Sequence, residues 1–327
     1  MARADNDYDA EFEWAYLRYQ ATDNLSMSAV RLRLPLFSYS VLLDVGYSYH
    51  WVTAPQTVYN VPFNNLDGIS IDYANDSGDW EYNVSLSADT LMGLNSAPVF
   101  LGIMCFLSGE ATYDWFKIRT VSGIGNSNLD LNSSGRTDLK QASAGLAFMK
   151  SVGFNDLEDS LQIRDDTGNF LGLSVQIDKF NWFVNAEVTS IDIEDSFLTE
   201  QIAYYATAGI RSGKWTPSIT YAKFKADAEV KFQGQLDQVT ASALPDEAKA
   251  VVTVTALGLL FSDNSKNNTL SATVRYDYDT NIAFKVDLSK FSNNFNDAED
   301  ATLLRFAVNY ILKFHSAVHQ DFYHLHQ

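Results

Sequence analysis

The sequence predicts an all-β fold, a transmembrane antiparallel β-barrel, and three observations carry that expectation. Hydropathy alternates with period two along most of the 327 residues, which is the repeat of a strand with one apolar face. The polar positions carry charges as well as Ser, Thr and Asn, while the apolar positions carry aromatic residues near strand ends. That is the pattern of a wall with lipid outside and water inside. Connections between strands also fall into a short and a long class, as in barrels whose two rims differ.

In chain order, strands are expected over 12–20, 25–34, 69–74, 80–88, 99–108, 113–121, 171–179, 182–189, 202–211, 215–223, 253–261, 270–278, 282–288 and 304–312, about fourteen in all. The alternation is clearest at Trp80, Tyr82, Val84, Leu86 and Ala88, which interleave with Glu81, Asn83, Ser85 and Ser87. Segments 270–278 and 282–288 alternate in the same way, and the three residues between them make a hairpin. Short connections at 21–24, 76–79, 212–213 and 262–268 are rich in Asn, Asp, Ser and Gly, the residues that turns require. Long ones run over 35–67, 122–168, 226–252 and 292–301. Helical spacing is confined to 139–152 and 242–251, the latter with Pro245 placed for a first turn. No helix recurs between consecutive strands, so a parallel βαβ arrangement is excluded.

Composition removes other classes. A hydrophobic fraction of 46% with 17 Tyr, 21 Phe and 6 Trp argues against disorder. The single cysteine, Cys105, permits neither an intrachain disulfide framework nor a four-Cys metal site, and its apolar surroundings fit a buried or lipid-facing residue. Against 23 basic residues stand 41 acidic ones, a net charge of -18 that opposes binding to nucleic acid. The longest apolar run, 97–107, is about half of what a membrane-spanning helix needs, and the N-terminus lacks the profile of a secretory signal. A soluble sandwich explains the alternation but not so many long one-sided strands. A soluble β-rich carbohydrate-binding protein is therefore the alternative from another class.

Glu11-Phe-Glu13-Trp-Ala-Tyr-Leu-Arg-Tyr-Gln, then Arg31-Leu-Arg33-Leu-Pro35, Leu43-Asp44-Val45-Gly46-Tyr47, Trp51, Pro55 and Tyr59 resemble the trimeric porins of Gram-negative bacteria, in particular those of marine gammaproteobacteria. The likeness continues through 181–187 and 280–291 to about residue 312. It implies a sixteen-stranded porin-type barrel in outer-membrane lipid, a homotrimer, and passive diffusion of small hydrophilic solutes and ions. Measured against that family, two early strands and the export signal are expected to be missing. Leu312 stands where such porins end in an aromatic residue, so residues 1–312 are expected to form the barrel and 313–327 a non-barrel tail. A channel selective for phosphate or sugars is the alternative within transport.

The loop 35–67 is the candidate constriction loop, because a barrel this wide stays open unless a loop narrows it. Tyr47, Tyr49, Trp51 and Tyr59 supply its packing groups. Arg31 and Arg33 read as facing the lumen beside it, joined by Arg119, Arg275 and Arg305. With Glu11, Glu13 and Asp44 these make up the expected pore-lining set, because facing rows of opposite charge create a transverse field. No catalytic constellation stands out, and the chain is expected to be no enzyme and to need no cofactor. His50 is the only histidine outside the tail, so a Ser–His pair has one possible centre. The tail histidines, His315, His319, His324 and His326, share a helical spacing that favours a metal only weakly, and no metal site is expected.

Overall fold

The structure, a computed structural model, describes residues 2–4, 10–12, 15–33, 36–59, 65–92, 99–131, 137–295 and 297–312. A short pair, β1 (Ala2–Ala4) with β2 (Ala10–Phe12), is followed by a single sheet of 13 strands in chain order. The sheet begins with β3 (Ala15–Gln20), β4 (Leu25–Arg33), β5 (Asn65–Ser77), β6 (Trp80–Met92) and β7 (Val99–Tyr113). It continues with β8 (Phe116–Asp130), β9 (Arg164–Asp178), β10 (Trp182–Ile193) and β11 (Gln201–Ile210). The last four are β12 (Trp215–Ala226), β13 (Ser265–Asp279), β14 (Ile282–Asn293) and β15 (Ala301–Tyr310). Each strand pairs antiparallel with the next, and β3 and β15 are edges that do not pair with each other. The all-β antiparallel expectation holds, with 13 strands in the sheet instead of about fourteen.

The missing strand is a helix. Residues 253–261 fall almost entirely within α5 (Asp246–Leu260), which Pro245 caps and which carries Asp246 and Glu247 in its first turn, where the helix dipole favours acids. The unbroken run of β-branched residues at 251–255 suggests a strand, but the buried positions are Val252, Ala256, Leu259 and Leu260, the i, i+4, i+7, i+8 stripe of a helix. Tertiary packing settles the ambiguity. The stripe meets Leu146 and Met149 of α2 (Thr137–Ser151), with Leu157 of α3 (Asn155–Ser160) and Leu236 and Val239 of α4 (Gln233–Ala241) in the same core. These helices lie in the connections β8–β9 and β12–β13, both at the long-loop rim. Phe197 of the β10–β11 connection joins the core, and Lys231 Nζ donates to Ser196 O and Leu198 O, so three loops of one rim are bound together.

The two faces of the sheet differ as the sequence predicts. Tyr82, Val84 and Leu86 of β6 are exposed, as are Leu270 and Val274 of β13 and Phe284, Val286 and Leu288 of β14. Trp80 is half-buried on the same face. Cys105 is exposed between Ile103 and Leu107. The opposite face buries Ser174, Asn185, Glu187, Thr207, Thr220, Thr273, Lys285 and Asp287. A soluble sheet would invert this, because a closed core rejects charges unless they are paired. No helix among the described residues is long and apolar enough to cross a membrane, so any crossing is made by strands.

Candidate functional site

The loop between β4 and β5, described over 36–59, lies on the polar face of the sheet and reaches from β8 to β15. Its Leu36, Phe37, Tyr49, Trp51, Ala54, Val58 and Tyr59 form one buried cluster with wall residues Phe106, Val121, Phe170, Ala203, Tyr205 and Ala222. Rings interlock along it: Trp51 meets Tyr205 edge-on with centroids 5.6 Å apart, and Phe37 meets Phe170 at 5.9 Å. Such contacts add to the stability given by the buried area.

Polar groups fasten the loop at both ends. On one side Glu187 of β10 accepts the Ser38 N–H at 2.9 Å and the Tyr59 hydroxyl at 2.6 Å, while Arg119 of β8 donates to Leu36 O at 3.2 Å. Across the lumen Lys285 of β14 donates to Tyr49 O at 2.6 Å, Trp51 O at 2.9 Å and Gly46 O. An ammonium has three donors, and here all three end on carbonyls of one loop. Arg275 of β13 donates to Tyr47 O at 2.7 Å and Tyr49 O at 3.0 Å, and the Trp51 indole N–H donates to Thr220 at 2.9 Å. At Gly46 a Cβ would lie 2.6 Å from Asn309 Nδ2, so a side chain there would require the Asn309 amide of β15 to turn aside.

His50 sits between the rings of Trp51 and Phe183, with centroids 4.0 and 4.6 Å away. Its Nε2 has no hydrogen-bond partner among the described residues. Burial, followed by the charges of Lys285, Arg275 and Arg211, pushes the imidazole down to about 3. The one histidine that could have anchored a Ser–His pair is therefore a neutral ring in an aromatic stack. Burial also raises the hydroxyls of Tyr39 and Tyr59, with Glu187 adding to both.

Of the residues read as pore-lining, Tyr47, Trp51, Arg119 and Arg275 come together at the loop. Tyr47 donates to Thr280 O and stacks under Arg275, and Arg305 lies further along the wall, paired with Asp287 at 2.8 Å. Asp44 is exposed on the loop. Arg31 requires correction. It shares strand parity with Met27 and Ala29 and pairs with Asp67, which shares parity with Ile69 and Ile71, so it stands on the apolar face. Its guanidinium forms a bidentate pair with Asp67 at 2.6 and 2.7 Å instead of entering the lumen. Polarity misleads here, because the inward parity of β4 is set by Ser26 and Ser28. The side chains of Arg33 and Glu11, all of Glu13, and the tail with its histidines lie outside the described residues. Among the described residues no His, Cys, Asp and Glu cluster could hold a metal ion. Lys285 and Glu187, the anchors not expected from the sequence, stand at polar positions of alternating strands, and that position is their only local signal.

No family model matches the sequence, nor does any curated protein. Solved structures do. OmpTdeltaL8, a loop-deletion mutant of OmpT, an outer membrane protein of Vibrio cholerae, superposes with a TM-score of 0.54 at 9% identity, covering 94% of this chain and 82% of that one. The outer membrane channel DcaP of Acinetobacter baumannii gives 0.52 at 10% identity, covering 94% and 76%. The fold is that of outer-membrane porins. Outer-membrane expressed OmpT of Vibrio cholerae gives 0.52 at 9% identity, covering 92% and 81%. These matches correct the expectation that the chain is no enzyme: a likeness at 9% identity to OmpT, an outer membrane protein, carries the fold alone and gives no ground for excluding catalysis.

Proposed function

We propose that the chain forms a water-filled channel in the bacterial outer membrane for passive diffusion of small hydrophilic solutes, and that it works as a homotrimer. The observation that carries the reading is the loop 36–59, fastened across the polar face of a sheet whose other face is apolar. A wall of this kind encloses water, and a segment held across it by Lys285, Arg275 and Glu187 narrows the passage. Tyr47, Trp51, Arg119 and Arg275 belong to that constriction, with Arg305 beyond it. The trimer rests on the resemblance of residues 11–59 to trimeric porins.

A pore sealed from lipid also needs its wall closed across β3 and β15, because each unpaired backbone group in hydrocarbon costs several kcal/mol as an order-of-magnitude figure. Liposome swelling with uncharged solutes of graded size tests the reading. Swelling should be fast for the smallest solute and fall steeply with size. Liposomes that swell no faster than protein-free ones would overturn it.

A further inference from the structure

Two buried clusters divide the inner face of the sheet unevenly. The loop 36–59 rests on Phe106, Val121 and Phe170 of β7–β9 and on Tyr205 and Ala222 of β11 and β12. Toward the long-loop rim, α2–α5 pack against Leu129 and Ile193, which continue the inward parity of Val121 on β8 and Glu187 on β10. The helices therefore fold in over the lumen on the side that the loop already fills. Among the described residues, none of β3–β6 belongs to either cluster.

Strand register repeats this division. One row of inward positions carries Arg18, Ser70 and Ser87 on β3, β5 and β6, then Phe106 and Phe170 on β7 and β9. The next carries Asp72 and Ser85 before it reaches Val121. Each row is thus polar where β3–β6 form the wall and apolar where the loop covers it, as expected if only the first part meets water. A hollow of ≈ 610 Å³ between residues 51–57 and β11–β15 offers no second route. The row beyond its Asp287 and Arg305 holds Lys285, 1% exposed and bonded to loop carbonyls, so the loop closes its floor.

The two sides also differ in how their charges are used. On the covered side Arg119 and Arg275 spend donors on loop carbonyls, and Arg305 is paired with Asp287. On the other side Asp72 accepts the Ser85 hydroxyl at 2.5 Å, and Arg18 donates to Ser26 at 2.8 and 3.1 Å. Arg18 and Asp72 approach only to 3.7 Å, with side chains 54% and 21% exposed. We infer that the passage is off-axis, confined to the side of β3–β6, and that Arg18 and Asp72 discriminate cations from anions within it. The inference rests on the channel reading. A unit charge about 7 Å from a passing ion in water changes its local concentration roughly threefold. The two residues act in opposite senses, so each hides the other until one is removed.

The test uses the full refolded chain in planar bilayers across a potassium chloride gradient, in a Cys105→Ser background, with heat-dependent migration in gels reporting folding. Asp72→Asn should lower the cation-to-anion permeability ratio roughly threefold and Arg18→Gln should raise it by a similar factor, while the double variant returns close to the parent. A charged methanethiosulfonate reagent should reduce the current of Ser70→Cys, on the open wall, and leave that of Thr207→Cys, which is 1% exposed on the covered side, unchanged. Reversal potentials unmoved in both folded charge variants, or equal block at the two cysteine positions, would overturn the inference while the channel stands. A folded parent that conducts no ions would instead refute the channel reading, and the inference with it.

Discussion

Replacing Lys285 by Met keeps an unbranched stem that reaches as far as Cε and removes the ammonium that fastens the loop. The three hydrogen bonds to Gly46 O, Tyr49 O and Trp51 O are charge-assisted, each contributing about 1.5–3 kcal/mol. Burying the ammonium, which is 1% exposed, offsets several kcal/mol of that gross figure. Arg275 still holds Tyr47 O and Tyr49 O after the change, so a net loss of about 3 kcal/mol is the expected scale, equivalent to a rise of roughly 100-fold in the undocked loop population. In single-channel recordings the variant should show added open-level noise and a higher mean conductance, because a displaced loop no longer narrows the lumen. Conductance and noise identical to wild type in a folded Lys285→Met protein would refute the claim that this lysine holds the loop across the passage.

Acid should loosen the same loop. An imidazole held near 3 when docked and near its ordinary value when released binds more protons in the released state between those limits. Docking is therefore fully stable above about pH 6.5 and weakens as pH falls, by roughly 3 kcal/mol at pH 4.5; noise rising below pH 6 in wild type and flat in His50→Phe is expected, and the same pH profile in both would contradict it. Arg31→Gln should leave ion selectivity unchanged, since its guanidinium pairs with Asp67 on the apolar face; a shifted reversal potential would place it in the lumen after all. With a net charge of -18, wild-type channels should prefer cations weakly and less so as salt rises; anion preference at low salt would show that Arg119 and Arg275 dominate. Cys105 in reconstituted protein should react with a lipid-soluble maleimide and resist a charged one, and the reverse would turn the wall inside out.

Much of the wall was legible because period two survives wherever one face meets lipid and the other water, as at 80–88 and 282–288. Its one false strand, 253–261, fails for a physical reason: a run of β-branched residues favours a strand locally, and only the packing of Val252 and Ala256 in the helical core selects the helix. The loop could be located from its length and aromatic residues, yet its anchors could not, since nothing local distinguishes Lys285 from other polar strand positions. Lys285 meets its three carbonyls only when residues more than 230 positions apart are brought together. Arg31 shows the converse error, in which a charged residue near a strand end was assigned by its polarity instead of its parity. There it can pair with Asp67 at the margin of the apolar face without entering the lumen.

A polar-lined, loop-narrowed lumen enclosed by the sheet is read out by single-channel current from the refolded full chain in a planar bilayer. Discrete, stable current steps are expected, linear in voltage near zero and scaling with the conductivity of the bathing salt, as a water-filled passage requires. Protein that folds and inserts yet passes no stepwise current at any salt concentration would contradict it.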